Sequence, residues 1–275
     1  MTTALRPLTT GELLDRTFSL YRSHFGLFVG IFALPYMVVL AFQFAGLAFE
    51  PSTPRIGNIL LTFVWSIGAG VLTLVVSAVS QAATVVAVSN VHLDRPASVT
   101  DSFSRIKGDV PGVVGISFLV SLTAGLGMIA LIVPGVLLLI IWSVAVPVKV
   151  LEHRGVFDSM SRSMDLTKGS WGRIFVVGLL ILALKFGVGS LLQWPLLIAA
   201  GFSIRGGVQQ IAIGWRIALL LSGFVATSLV GALATIAFSV VYYDERVRKE
   251  AFDLQLMMTT LDAATVPGAP AQVGA

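Results

Sequence analysis

One lysine, Lys185, lies deep within a long apolar segment of this chain, where an ammonium group has few ordinary roles. It follows Arg173 by 12 residues and precedes Pro195 by 10 residues. At about 1.5 Å of rise per helical residue, this spacing predicts a position near the middle of a membrane span. Charged residues at that depth usually face the interior of a helix bundle and mark ion or substrate paths. Lys185 is therefore the candidate intramembrane polar site, where it would contact a ligand or act in a polar relay. The alternative is a structural lysine whose ammonium bonds Gln81, serine side chains or backbone carbonyls left free near Pro134 or Pro147.

The other side chains that could take part in catalysis or metal binding are not grouped in the sequence. His24, His92 and His153 fall near the predicted ends of spans, where Asp94 and Glu152 are neighbours of two of them. Their spacing matches no ligand motif, and the chain contains no cysteine. We therefore predict no catalytic residue, no metal site and no cofactor, and we expect a protein that is not an enzyme.

The composition requires a membrane around these residues. Hydrophobic residues make up 56% of the 275-residue chain and charged residues 12%, about half the charged share of a soluble domain. Gly112 to Val148 is a run of 37 residues without a charge, enough for two spans of about 20 residues each. The sequence predicts a polytopic all-α helical bundle with six spans, at residues 26–49, 59–89, 112–131, 135–151, 172–199 and 214–243.

The distribution of basic residues predicts an orientation. With a cytoplasmic amino terminus, 14 of the 18 basic residues lie in inner segments, whereas Arg55, Arg205 and Arg216 lie outside. The positive-inside rule favours this arrangement, with both termini in the cytoplasm. Because the basic residues are spread over several short loops, they indicate no nucleic-acid partner.

Three inner segments share an acid followed four residues later by arginine, a spacing that favours an ion pair on a helix. They start at Glu12, Asp101 and Asp158 and predict amphipathic helices in the inner interface at residues 10–23, 98–108 and 155–168. Each precedes a pair of spans, so we predict three repeated units; chance similarity of amphipathic helices is the alternative. The cations of these helices would form a collar that binds anionic lipid headgroups. The alternative is that they only reflect the excess of positive charge on the inner side. The collar residues are Arg16, Arg22, Arg105, Lys107, Arg162 and Lys168.

Small residues recur every four positions along the last span. This helix-packing stripe favours close approach of another helix, either within the bundle or in a homodimer. It comprises Gly223, Thr227, Gly231, Thr235 and Ser239.

The last span is predicted to continue as a helix into the cytoplasm. Charged residues four apart support such an extension. The expected pairs are Asp244 with Arg248, Glu245 with Lys249 and Arg246 with Glu250. Residues 1–258 would form one membrane domain, and residues 259–275, which lack apolar periodicity, a disordered tail.

Several short motifs carry a family resemblance over nearly the whole chain. They are Arg6-Pro7-Leu8, Gly11 to Arg22, Pro134-Gly135-Val136, Val150-Leu151-Glu152, Arg162-Ser163 and Tyr243 to Leu254. The chain resembles the membrane-domain family attached to some bacterial glycerophosphodiester phosphodiesterases, related to the YciC-like inner-membrane proteins. The resemblance implies a bacterial inner-membrane protein without the catalytic domain, and it supplies no binding residues.

These observations predict a lipid-contacting scaffold or accessory subunit. Its expected partners are membrane lipids, including anionic ones, with a membrane-protein partner or a second copy as further options. The alternative is a small transporter or channel with a pathway past Lys185. No acid lies in any predicted span to pair with this lysine, which argues against proton coupling through a carboxylate.

Overall fold

A computed structural model describes residues 8–48, 56–93, 95–202 and 213–250. Within these ranges every regular element is a helix, and a 3-10 turn joins α4 to α5. The helices are α1 (Thr10–Ser23), α2 (Phe25–Ala48), α3 (Ile56–His92), α4 (Val99–Ile106), α5 (Val110–Ala130), α6 (Ile132–Ile141), α7 (Ala145–Glu152), α8 (Val156–Thr167), α9 (Trp171–Phe202) and α10 (Ile213–Glu250).

Six helical segments are long and apolar enough to cross a membrane. In the most apolar window of each segment, only 6% to 39% of the residues are buried within the protein. Helices this apolar with so much outward surface are suited to lipid rather than water. The predicted polytopic helical bundle is thus confirmed. The predicted tail, 259–275, lies outside the described residues.

Two of the three short helices, α1 and α4, begin with side-chain caps. In α1, the Thr9 hydroxyl accepts a hydrogen bond from the Glu12 backbone and the Glu12 carboxylate accepts one from the Thr9 backbone, which forms a capping box. In α4, the Ser98 hydroxyl accepts from the Asp101 backbone. These caps satisfy amide groups at helix ends that have no partner within the helix.

Helices α5 and α6 form a tight hairpin whose turn differs from the predicted one. The sequence predicts that the third span ends at residue 131 and the fourth begins at residue 135, but α6 already begins at Ile132 after an extended Leu131. Pro134 occupies the first turn of α6, where backbone amides lack helical partners, so its missing N–H costs little. A Cβ added at Gly135 would lie 2.5 Å from the backbone nitrogen of Met128, so glycine allows the two helices to touch.

The fourth span is broken between α6 and α7. Pro147 has no N–H to bond the carbonyl of Ser143, which disrupts the helical ladder here. The carbonyl oxygen of Ile141 instead accepts hydrogen bonds from the hydroxyls of Ser163 at 2.8 Å and Thr167 at 3.2 Å, both on α8. The interfacial helix α8 therefore stabilises the break.

The order of short helix, span and span occurs three times, as α1–α3, α4–α7 and α8–α10. Each short helix packs mainly against the second span of the preceding unit: α4 on α3, α8 on α7, and α1 on α10. Each first span also contacts the second span of the preceding unit: α5 contacts α3, α9 contacts α6 and α2 contacts α10. The three units thus form a closed ring with three seams.

The three seams of this ring are unequal. Helix α2 packs extensively on α10 and α5 packs on α3, whereas α9 meets α6 only sparsely. The break in the fourth span explains the difference, because α7 packs on α3 near the centre while α6 remains against α5. The α6–α9 seam is the thinnest of the three.

Candidate functional site

One end of the bundle, here called the polar end, contains α1, α4, α8 and the last turns of α10. Arg173, at the start of α9, lies beside two acids of α10 there. Its Nη1 lies 2.5 Å from Asp244 Oδ2, and its Nη2 bonds Glu245 Oε1. Both carboxylates are buried, and Ser170 donates a further hydrogen bond of 3.0 Å to Glu245. Arg173 also donates to the Leu8 carbonyl at 3.1 Å, which ties the residues before α1 to this pair.

A second charged group links α7, α8 and α10. Arg162 pairs with Glu250 and, at 3.4 Å, with Glu152, while Arg246 contacts Glu250 at 3.0 Å. The hydroxyl of Tyr242 donates to Glu152 at 3.0 Å. Burial alone would lower the pKa of Arg162, but the hydrogen bond with Glu250 and the charges of Glu152 and Glu250 raise that pKa overall. These groups fix the carboxyl-terminal part of α10 on its neighbours.

Two of the three predicted pairs along the end of α10 are confirmed. Arg248 contacts Asp244 at 2.9 Å, and Arg246 contacts Glu250. The predicted pair of Glu245 with Lys249 is wrong, because Glu245 turns to Arg173. The Lys249 ammonium instead donates to three carbonyls at the end of α8, those of Asp165, Leu166 and Lys168, at 2.6 to 2.9 Å.

The acid–arginine spacing of the short helices has mixed outcomes. Asp101 and Arg105 form the expected pair at 3.1 Å. The expected pair of Asp158 with Arg162 is wrong, because the Arg162 guanidinium faces Glu152 and Glu250 across the bundle. Arg162 therefore belongs to the charged interior of the polar end rather than to an outward collar.

The remaining collar residues point outward to different degrees. Arg16 is half-buried, and the other four are exposed. Exposed apolar side chains, Phe18 and Phe25 for α1 and Met164 and Trp171 for α8, lie on or just after two of these short helices, which suits an interfacial position. These exposed cations are Arg22, Arg105, Lys107 and Lys168.

A surface recess of about 490 Å³ lies where α8 turns into α9. The exposed side chains of Lys168 and Trp171 meet here. Gly169, at φ +86°, supplies the backbone conformation that the turn needs, and a Cβ at Gly172 would meet nothing within 4 Å. The recess is lined by Met164, Asp165, Lys168, Gly169, Trp171 and Gly172.

The exposed side chain of Lys185 lies where two open cavities of the bundle meet. The larger, of about 600 Å³, extends from Lys185 toward the polar end, and the smaller, of about 450 Å³, extends toward the opposite end. Tyr36, Lys185 and Thr227 line both. Among the described residues Lys185 has no ion pair or hydrogen bond, so Gln81 and the freed carbonyls do not hold it. Its position fits the predicted intramembrane polar site.

The small-residue stripe of α10 contacts other helices of the same chain. A Cβ at Gly231 would collide with the Phe32 ring of α2, and one at Gly223 would lie 3.5 Å from the Gln193 amide of α9. Thr227 and Thr235 line the larger cavity, while the Ser239 hydroxyl bonds the Thr235 carbonyl. These contacts favour packing within the bundle.

The histidines lie apart in different settings. His92 stacks on Tyr243 with ring centroids 4.8 Å apart, His24 is exposed beside Ser23, and His153 ends α7 in the left-handed conformation. Asp94 lies outside the described residues. Within the ranges that the structure covers, no group of three histidine, aspartate or glutamate side chains could hold a metal.

The sequence reasoning missed two features of the polar end. It did not identify Arg173 as the partner of the α10 acids, nor the pair of Lys149 with Asp109 at 2.6 Å. The sequence does contain a pattern that could have indicated the contact between Arg173 and the α10 acids. Arg173 lies at the start of one apolar run, and Asp244 lies at the end of another. Ends of antiparallel spans that lie on the same side of a membrane can meet.

Comparison with protein-family models, with curated proteins and with solved structures gives no match to this chain. The class that the fold defines is a multi-pass membrane helical bundle with six candidate spans. The resemblance to the phosphodiesterase-associated membrane domains stays a prediction from the sequence motifs.

Proposed function

We propose that this protein is a non-enzymatic, lipid-contacting scaffold or accessory subunit of the bacterial cytoplasmic membrane, with the polar end and both termini facing the cytoplasm. The membrane-domain family suggested by the sequence motifs fits this role. The proposal rests chiefly on the recess that combines Lys168 with Trp171.

Within this recess the Lys168 and Trp171 side chains suit an anionic lipid headgroup, whereas the Asp165 carboxylate on the same wall would repel one. A lysine ammonium attracts phosphate, and tryptophan favours the boundary between headgroups and acyl chains. The backbone carbonyl of Lys168 is held by Lys249, whereas its side chain is exposed. A fixed backbone with an outward cation lowers the entropic cost of placing that cation against a lipid.

Lipid retention tests the proposal. In native mass spectrometry of protein extracted from bilayers of phosphatidylglycerol and phosphatidylethanolamine, we expect phosphatidylglycerol adducts to dominate. Lys168→Gln should weaken the tightest adduct by about fivefold, because one cation near an anionic surface contributes about 1 kcal/mol. Arg95→Gln is the matched control, since Arg95 is exposed and outside the collar. Equal effects of the two variants would contradict a specific collar site.

A second candidate function, transport of a small solute, is favoured by one observation. The two open cavities meet at Lys185 and extend toward opposite ends of the bundle. Reconstituted vesicles should then show a solute flux that Lys185→Met abolishes. No flux for any solute class would leave the scaffold proposal as the better one, and a flux that the variant leaves unchanged would exclude a pathway past Lys185.

A further inference from the structure

The larger of the two open cavities lies behind the thinnest seam of the ring. Its walls include Met128 and Leu139 from the α5–α6 hairpin and Leu179 and Leu182 from α9. These four side chains are between 41% and 62% exposed, so the seam presents an apolar, open face to the surrounding hydrocarbon. A ligand with an apolar chain can reach this cavity sideways from the bilayer.

A few polar groups line this mostly apolar cavity. Ser117 and Ser143 line it, and their hydroxyl oxygens are buried without a hydrogen-bond partner among the described residues. The Gln81 amide and the Lys185 ammonium line it as well. Unbonded polar groups away from water are costly, and an ammonium in hydrocarbon more so. This set of donors is complementary to an anion.

The size of the cavity also fits a ligand. About 600 Å³ lies within the range of small-molecule sites, which combine mostly apolar walls with a few convergent polar groups. Among the described residues that line the cavity there is no carboxylate, so none of them places an acid opposite the positive charge of Lys185.

We propose that this cavity binds a single-chain amphiphile with an anionic headgroup, a carboxylate or a phosphate monoester. The headgroup accepts hydrogen bonds from Lys185, with Ser117 and Ser143 as further donors, and the chain leaves through the α6–α9 seam between Leu139 and Leu182. This site is distinct from the Lys168 recess and does not depend on the function proposed for it.

Fluorescence quenching tests the site, because Trp142 lines the cavity. A variant that retains Trp142, with the other four tryptophans replaced by phenylalanine, is reconstituted in nanodiscs of phosphatidylcholine and titrated with dibromostearic acid. We expect saturable quenching by the acid, by a lysophosphatidic acid with the same brominated chain, or by both. The methyl ester of dibromostearic acid has the same chain without the charge and should quench weakly and without saturation.

Substitution of the cation completes the test. Lys185→Gln should raise the Kd for the acid about tenfold or more, because a hydrogen bond to a charged group is lost, whereas Lys185→Arg should retain tight binding. Lys168→Gln should leave the quenching unchanged, which separates this site from the collar. Equal affinity for acid and ester would overturn the proposal even if Lys185→Gln failed to fold. An unchanged Kd in a folded Lys185→Gln protein would overturn it as well.

Discussion

The positive charge of Arg173 lies beside the negative charges of two buried carboxylates. Glu245 is fully buried and Asp244 nearly so, and the guanidinium of Arg173 contacts both. Arg248 supplies Asp244 with a second cation, whereas Ser170 supplies Glu245 only with a neutral hydroxyl. Glu245 therefore depends on Arg173 more than Asp244 does.

Removal of this arginine should be far more harmful than removal of an exposed one. Arg173→Gln leaves Glu245 buried without a cation, so we expect the free energy of unfolding in detergent to fall by about 3–5 kcal/mol. Arg105→Gln, which breaks the exposed pair with Asp101, should cost less than about 1 kcal/mol. Denaturant titration followed by circular dichroism measures both.

The double variant Arg173→Gln/Glu245→Gln separates charge from packing. If the buried charge is the cause, this variant should recover part of the lost stability, because the unpaired carboxylate is gone. An equally unstable double variant would show instead that the shape of the arginine matters.

At the scale of elements, the α5–α6 hairpin depends on two glycines that face each other. A Cβ at Gly127 would lie 3.0 Å from Gly135 Cα, and a Cβ at Gly135 would lie 2.8 Å from Met128 Cα. Both neighbours are backbone atoms, which cannot move aside as a flexible side chain can. The hairpin therefore tolerates no larger residue here without separating its helices.

Two alanine substitutions compare a glycine at the contact between α5 and α6 with a glycine that faces open space. Gly135→Ala should destabilise the protein by about 1–3 kcal/mol because the helices must separate. Gly125→Ala, two residues before Gly127, meets nothing within 4 Å and should be neutral or stabilise by up to about 1 kcal/mol. Thermal unfolding of the two proteins in the same detergent compares them; a similar loss in both would contradict the close contact.

The break between α6 and α7 gives a second prediction for an element. Ser163→Ala with Thr167→Val removes both hydroxyl donors to the Ile141 carbonyl, so stability should fall by about 1–3 kcal/mol. Hydrogen exchange should rise at the break more than elsewhere in the chain. Ser161→Ala on the exposed face of α8 is the control and should leave the exchange unchanged.

At the scale of the whole molecule, the charge distribution predicts the topology. Alkaline phosphatase, which is active only outside the cytoplasm, should be active when fused after Arg55 or Arg205. Green fluorescent protein should fluoresce when fused after Met258, in the cytoplasm. Phosphatase activity lost at either loop would contradict a six-span arrangement with both ends inside.

The sequence was sufficient for the elements but not for their contacts. The spans follow from apolar runs of sufficient length, and α1, α4 and α8 follow from local charge spacing. The partners of Arg173 and Arg162 lie 72 and 88 residues away along the chain, so no local pattern identifies them. Of the residues in the proposed cavity site, the sequence predicts a role for Lys185 alone. Ser117, on α5, and Ser143, at the break of the fourth span, look like ordinary span residues in the sequence, and only the structure shows that both line the same cavity.

The closed ring has a consequence for biosynthesis. The carbonyl of Leu8 accepts hydrogen bonds from Arg173 and from Arg248, and the latter follows it by 240 residues. Helix α1 therefore cannot reach its final position until the ribosome has translated α10. Until then, the units α1–α3 and α4–α7 lie in the bilayer without the contacts between α1 and α10. A chain that lacks α10 would leave α1 without its main packing partner and without the hydrogen bond from Arg248 to Leu8.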